Sequence, residues 1–252
     1  DRSPSRGLGD VYKRQIKDIM KKMMVLAACL WSVFTVQAQY FPTDEGTELE
    51  YVYYDEAGQS TQTETMTVKE VKQNGDAVEA KAYSKIVKNK AKNNTSYSLY
   101  NFSYKDGVTS YCEDLIYREY IDADADPAQY TEAKRMEWAD KLKFEGSNAV
   151  LLKDDAKAGE TMPDWNYAIT LNMLKNNVTI SGASYMGTEQ ISTTAGKFDC
   201  IKISYLKRTK IVLKTETLRV TAWYAEEVGL VKSEAYDTKG KLHDKVILVK
   251  KK

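Results

Sequence analysis

The chain has 252 residues, 37 Lys and Arg against 36 Asp and Glu, and a formal charge of +1. That length can bury one sizeable core, and the balanced charge excludes a surface built to neutralise nucleic-acid phosphates. One histidine and three cysteines are too few for a zinc framework or a disulfide scaffold.

The N-terminal residues divide into three parts. Asp1 to Gln15 (DRSPSRGLGDVYKRQ) has no apolar period, so residues 1–19 read as an extension foreign to the protein, with Met20 as the start. Residues 20–38 have the pattern of a signal peptide: a basic pair Lys21-Lys22, an apolar run Met23 to Val36, and a small-residue cleavage site Val36-Gln37-Ala38. The run of 14 residues is short of the roughly 20 that span a bilayer, so no transmembrane span is expected in the mature chain. Leu26-Ala27-Ala28-Cys29 also matches a lipoprotein box, but lipidation of Cys29 would strand the apolar Leu30 to Val36 in the mature chain, and cleavage after Ala38 is preferred. The expected product is a periplasmic or extracellular protein. Its single domain, 39–252, keeps 214 residues with 30 basic and 33 acidic side chains.

The first half of that domain reads as a meander. Thr47 to Tyr54 places Leu49, Tyr51 and Tyr53 on one face, and Asp55-Glu56-Ala57-Gly58 turns the chain into Thr61 to Val71. Asn74-Gly75 tolerates the positive φ of a type I′ hairpin and leads into Ala77 to Val87. Tyr97 to Tyr104 and Val108 to Ile116 pair across Lys105-Asp106-Gly107. Strands this long suit a curved sheet or an incomplete barrel better than a compact sandwich.

The middle is less regular. Asp126-Pro127 has the form of a helix start, and Tyr130, Ala133, Trp138 and Leu142 give a helical stripe over 127–143, with an irregular strand from Arg135 as the rival. Ala149 to Leu152, Thr161 to Asn172 and Val178 to Ser184 follow as strands. From Tyr185 to Val249 the pattern is again strand throughout. Thr217 to Ala225 alternates Leu218, Val220, Ala222 and Tyr224 with Thr217, Arg219, Thr221 and Trp223, which makes the first set the core face and the second a mixed face, solvated or lining a groove. Tyr54 to Gln59 and Tyr236 to Lys241 carry the same turn pattern, attributed to shared turn chemistry rather than duplication.

Little in the chain points to chemistry. His243 lies in a polar stretch beside Asp244, and no Gly-x-Ser-x-Gly elbow accompanies it. Asp122-Ala123-Asp124-Ala125-Asp126 resembles the start of a calcium loop, but Pro127 occupies the glycine position and Ala133 the bidentate glutamate position. No catalytic residue, metal site or cofactor is therefore expected. Cys112 and Cys200 could pair in an oxidising compartment, but buried free thiols are preferred. The aromatic content, 18 Tyr and 4 Trp against 5 Phe, offers the remaining lead. Trp165 and Trp223, with Tyr224, are candidates to line a groove for a sugar or an acyl chain.

Three stretches together resemble a known family: Tyr40-Phe41-Pro42 with Gly46-Thr47, Thr194 to Lys202 (TAGKFDCIK), and Trp223-Tyr224 with Val228 to Glu234. In this order they resemble the TapB-like exported domains of Gram-negative envelopes. The resemblance implies a strongly curved antiparallel sheet similar to the periplasmic lipoprotein carriers, with at most one or two short helices, and transfers no activity or catalytic residue. Two functions follow as expectations. One is a non-enzymatic envelope protein whose partner is a small amphipathic ligand or another envelope protein. The other is a glycan hydrolase with a carboxylate pair.

Overall fold

In the computed structural model, residues 38–90, 95–114, 142–171 and 174–252 are described. Alternation at period two dominates them, and they form β1 (Glu48–Asp55), β2 (Ser60–Asn74), β3 (Ala77–Lys88), β4 (Thr95–Lys105), β5 (Val108–Asp114), β6 (Leu142–Gly146) and β7 (Val150–Lys153). The chain continues through β8 (Trp165–Leu171), β9 (Leu174–Thr193), β10 (Gly196–Ile211), β11 (Lys214–Ala225), β12 (Gly229–Tyr236) and β13 (Leu242–Lys251). All are antiparallel in one sheet, in the spatial order β6-β8-β9-β10-β11-β12-β13-β1-β2-β3-β4-β5-β7.

The two edge strands, β6 and β7, are neighbours in sequence. Only Ser147-Asn148-Ala149 joins them, a span of at most about 14 Å even when extended. The sheet must therefore roll until its edges nearly meet, and it stays an incomplete barrel because no ladder joins β6 to β7. The connection is tied to both sides. Ser147 N donates to Asn166 O on β8 (3.2 Å), and Asn148 Nδ2 donates to Glu113 O on β5 (2.7 Å). Residues 159–162 run beside β9, with Met162 N bonded to Ala183 O and Tyr185 N to Glu160 O.

Curvature is built into the 20-residue β9. Its ladder with β10 shifts register between Lys202 and Ile203 and between Ser204 and Leu206, and the opposing stretch carries Gly187 at φ +94° and Gly182 at φ +61°. Bulges add twist and bend the strand, and at positive φ a residue other than glycine would be strained. The twin turns share their chemistry as expected. Asp55 Oδ1 accepts from Ala57 N and Gln59 N, Asp237 Oδ1 accepts from Lys239 N and Lys241 N, and Lys241 Nζ reaches Glu56 (2.6 Å) so that the two turns touch.

Inside the roll lie two apolar clusters, one around Phe41, Leu49, Met66, Val68 and Phe102, the other around Tyr40, Leu152, Ile203, Ala222 and Tyr224. The segment 38–41 supplies side chains to both. Phe41 stacks on Phe102 with centroids 5.4 Å apart, and Tyr40 N donates to Thr109 Oγ1. Burying these aromatic rings is worth about 1.5–3 kcal/mol each by area removed from water.

Several expected boundaries move. The stretch expected as Val178 to Ser184 is the middle of the long β9, because its glycines bend the strand without ending it. The β2–β3 hairpin loop is Gly75-Asp76, one residue later than the Asn74-Gly75 reading, since Asn74 still pairs with Ala77. Among the described residues there is no helix. Of the stretch 127–143, residues 127–141 lie outside the described residues, and Leu142 and Lys143 open β6 instead of closing a helix. The extension, the apolar run and Cys29 also lie outside them.

Candidate functional site

On β2 the alternation that buries Val68 and Met66 also buries Glu64, which is 2% exposed. An isolated carboxylate would be costly there, and its oxygens are met by hydroxyl groups. Ser84 Oγ on β3 donates to Glu64 Oε1 (2.5 Å), and the Tyr53 hydroxyl on β1 donates to Oε2. Burial pushes the Glu64 carboxyl above its usual range, and these donors pull it back only in part.

Around Glu64 is a cavity of about 290 Å³. Seven tyrosines line it, Tyr51, Tyr53, Tyr100, Tyr111, Tyr167, Tyr205 and Tyr224, with Glu113, Asn148 and Lys207 as further polar groups and Met66, Val150 and Leu230 as apolar ones. Tyr111 is the hinge of the aromatic wall. Its ring meets Tyr100, Phe102 and Tyr224 edge-on at 5.7, 4.8 and 5.9 Å, the geometry that the ring quadrupoles favour. Burial drives the phenols of Tyr100, Tyr111 and Tyr224 well above their usual range, so they are neutral hydroxyls at any physiological pH.

Two features distinguish this cavity from leftover packing space. The Tyr51 hydroxyl is fully enclosed and has no hydrogen-bond partner among the described residues, although a buried polar group normally finds one. The wall is also completed by the edge-joining connection. Asn148 holds the carbonyl of Glu113 and accepts from the Cys112 thiol (3.3 Å), while Glu113 Oε1 accepts from Ser98 Oγ (2.6 Å). The site exists only because the sheet is rolled.

The residues singled out from sequence lie elsewhere. Trp165 is half-buried against Tyr205, with centroids 5.9 Å apart, and is not among the cavity-lining residues. Trp223 and Tyr224 do point to opposite faces, and Tyr224 lines the cavity. The expected open face of Trp223 is corrected, because the residue is only 4% exposed. Lys202 and Lys232 lie over its ring at 5.1 and 4.6 Å, and its indole N–H donates to Glu189 (3.0 Å). Trp223 belongs to a buried apolar cluster with Ile191, Cys200, Ala225 and Val231, and the two ammonium groups lie over its ring. His243 is partly exposed between Asp244 (2.7 Å) and Glu216 (3.5 Å), and the bond to Asp244 raises its pKa. Cys112 and Cys200 are free thiols, the latter buried and pushed up to about 12 by desolvation.

Sequence reasoning missed Glu64, Tyr51 and Tyr111. Glu64 was the findable one, an acidic residue in phase with the apolar Met66 and Val68.

Comparison with known proteins places the chain. A model of the DUF3108-like family matches residues 44–248, and the chain belongs to that family, whose function is not established. The broad class expected from the TapB-like resemblance, an all-β domain of unknown function, stands under this family description. A Bacteroides fragilis structure, described as an inferred exported protein with a YmcC-like fold, superposes with a TM-score of 0.66 at 19% identity, covering 85% of this chain and 99% of that one. An inferred lipoprotein from Parabacteroides distasonis gives 0.67 at 20% identity with the same coverage. At these identities the likeness is one of fold. No curated protein matches the chain.

Proposed function

We propose that this chain is an exported, non-enzymatic envelope protein that takes a small amphipathic molecule into its rolled sheet. The observation that carries the proposal is the enclosed, unpartnered Tyr51 hydroxyl on the wall of a 290 Å³ cavity. A ligand with one polar group would bond that hydroxyl once the Tyr51 side chain shifts to expose it, and would lay its apolar part against Met66, Val150 and Leu230. The volume is near the lower end for small-molecule sites, roughly 300–1,000 Å³, which favours a short chain or a single ring. The descriptions of the two fold neighbours, one exported and one a lipoprotein, support an envelope location.

A hydrolase reading has one observation in its favour: Glu64 and Glu113 line the same cavity, and burial raises the first. A general acid must present its proton to the substrate. Both Glu64 oxygens instead accept from Ser84 and Tyr53, and Glu113 accepts from Ser98. That arrangement favours a structural and ligand-orienting role for the pair.

Native mass spectrometry of the purified protein, followed by thermal shift with short-chain acyl amphiphiles and aromatic alcohols, tests the binding reading. Tyr51→Phe should weaken any ligand found by about fivefold or more while the fold persists, since one hydrogen bond is worth about 1 kcal/mol. Undiminished affinity in Tyr51→Phe would remove the basis of the proposal. Release of sugar from a glycan panel, abolished by Glu64→Gln, would replace it with the hydrolase.

A further inference from the structure

The hairpin that joins β10 to β11 ends in Ile211-Val212-Leu213, and all three side chains are exposed, Leu213 to 95%. Leu174, at the start of β9 beside this tip, is exposed as well, because Asn176 pairs with Ile211. Soluble domains seldom place consecutive large apolar residues at a convex apex, and such placement marks a contact surface. Val212 is also held at φ +53°, a conformation that a β-branched residue rarely adopts.

Directly behind the apex is a collar of cations. Lys210 and Lys214 flank it, and Arg208 follows within three residues, about 10 Å along the strand. None of these three has an ion-pair partner among the described residues. The acidic side chains nearby are engaged elsewhere, Glu216 beside His243 and Glu145 with Lys175. This is the order in which a bilayer surface presents itself to an incoming tip, anionic headgroups outside and hydrocarbon beneath. A groove on a protein partner would require apolar walls around an apex whose side chains splay in different directions.

We propose that the β10–β11 tip is a membrane-docking element that inserts Ile211, Val212 and Leu213 into an anionic lipid surface while Arg208, Lys210 and Lys214 bind its headgroups. The site is independent of the cavity reading. The two are nevertheless related in space, since β10 runs from Tyr205 and Lys207 on the cavity wall straight to Ile211. Docking would bring the cavity end of the sheet towards the lipid.

The test uses the full chain with Leu213→Trp, read as the difference from the parent, on vesicles of phosphatidylethanolamine with phosphatidylglycerol and on phosphatidylcholine alone. Because the new indole reports only its own surroundings, any other segment that holds the chain to a vesicle does not interfere. On anionic vesicles its emission should shift to the blue and be quenched by lipids brominated on their acyl chains. Lys210→Glu with Lys214→Glu should weaken that response at least about tenfold, with an unchanged melting temperature showing that the fold is intact. An indole that stays in water on anionic vesicles overturns the proposal. So does an equal response on phosphatidylcholine, which would remove the role of the cations. A blue shift that appears without lipid and grows with protein concentration would assign the tip to self-association instead.

Discussion

The two ends of the rolled sheet are made from the same strands and differ in what those strands point inward. Along β1 the inward series runs Leu49, Tyr51, Tyr53, along β2 Val68, Met66, Glu64, along β3 Ala80, Ala82, Ser84, and along β4 Phe102, Tyr100, Ser98. Because neighbouring strands are antiparallel, the series on β1, β2 and β4 become more polar in the same direction in space, whereas β3 passes through Ser84 to the buried Ile86 opposite Glu64. One end is thereby filled, with Phe41 stacked on Phe102, and the other is left as a cavity with hydroxyls and carboxyls on its wall. The comparison teaches that the sheet separates two tasks. The filled end supplies cohesion through apolar burial. The polar end carries groups that are costly to bury and that a core alone would not require.

Breaking the filled end should have the largest effect. Phe102→Ala should lower stability by about 3–5 kcal/mol in denaturant melts, the range for aromatic truncation in a packed core. Trp223→Ala should fall in the same range although the residue lies on the opposite face from Tyr224, because it is packed in the buried cluster with Ile191, Cys200, Ala225 and Val231. A loss below about 1 kcal/mol in Trp223→Ala would show that this cluster does not act as packing.

At the polar end the effects should be smaller and dependent on pH. Glu64→Ala removes the acceptor of the Ser84 and Tyr53 hydroxyls and should cost about 1–3 kcal/mol. The folded-state pKa of Glu64 is raised, so between its unfolded and folded values the folded protein binds more protons than the unfolded one. Stability from this group is therefore fully present below the unfolded pKa of about 4.3 and is lost as pH rises through the folded value. Glu64→Gln should flatten that decline. Melts across a pH series would check it, and an unchanged slope would mean that Glu64 does not titrate in the folded state as its burial requires.

The smallest effect sharpens the comparison most. Tyr51→Phe removes a hydroxyl that has no partner, so it should be neutral or stabilise the protein by up to about 1 kcal/mol. A loss above about 1 kcal/mol would indicate that the hydroxyl is hydrogen-bonded in solution and that the polar end is ordinary core.

Much of the fold could be read from the residues. Period-two alternation placed most of the strands within a few residues, and the length of the strands pointed to a curved sheet because long twisted strands coil. The face assignment of β11 was also legible, since Leu218, Val220, Ala222 and Tyr224 are all buried. The length of β9 was not. The stretch Val178 to Ser184 reads as a strand of its own, and only pairing with β10 joins it to the residues from Tyr185 onward as one bulged strand. The same limit applies to the two sites. Alternation assigns a side chain to a face, but which residues share a level of the interior depends on register, and register depends on partners that are far apart in sequence. Glu64 and Tyr51 are 13 residues apart, yet Asn148 and Tyr224 reach the same cavity only through the roll that a three-residue connection imposes on the sheet. The sequence alone determined the strands and their polarity. The tertiary structure decided that the polar ends of those strands converge around one cavity, because convergence is a property of registers and curvature that no single strand contains.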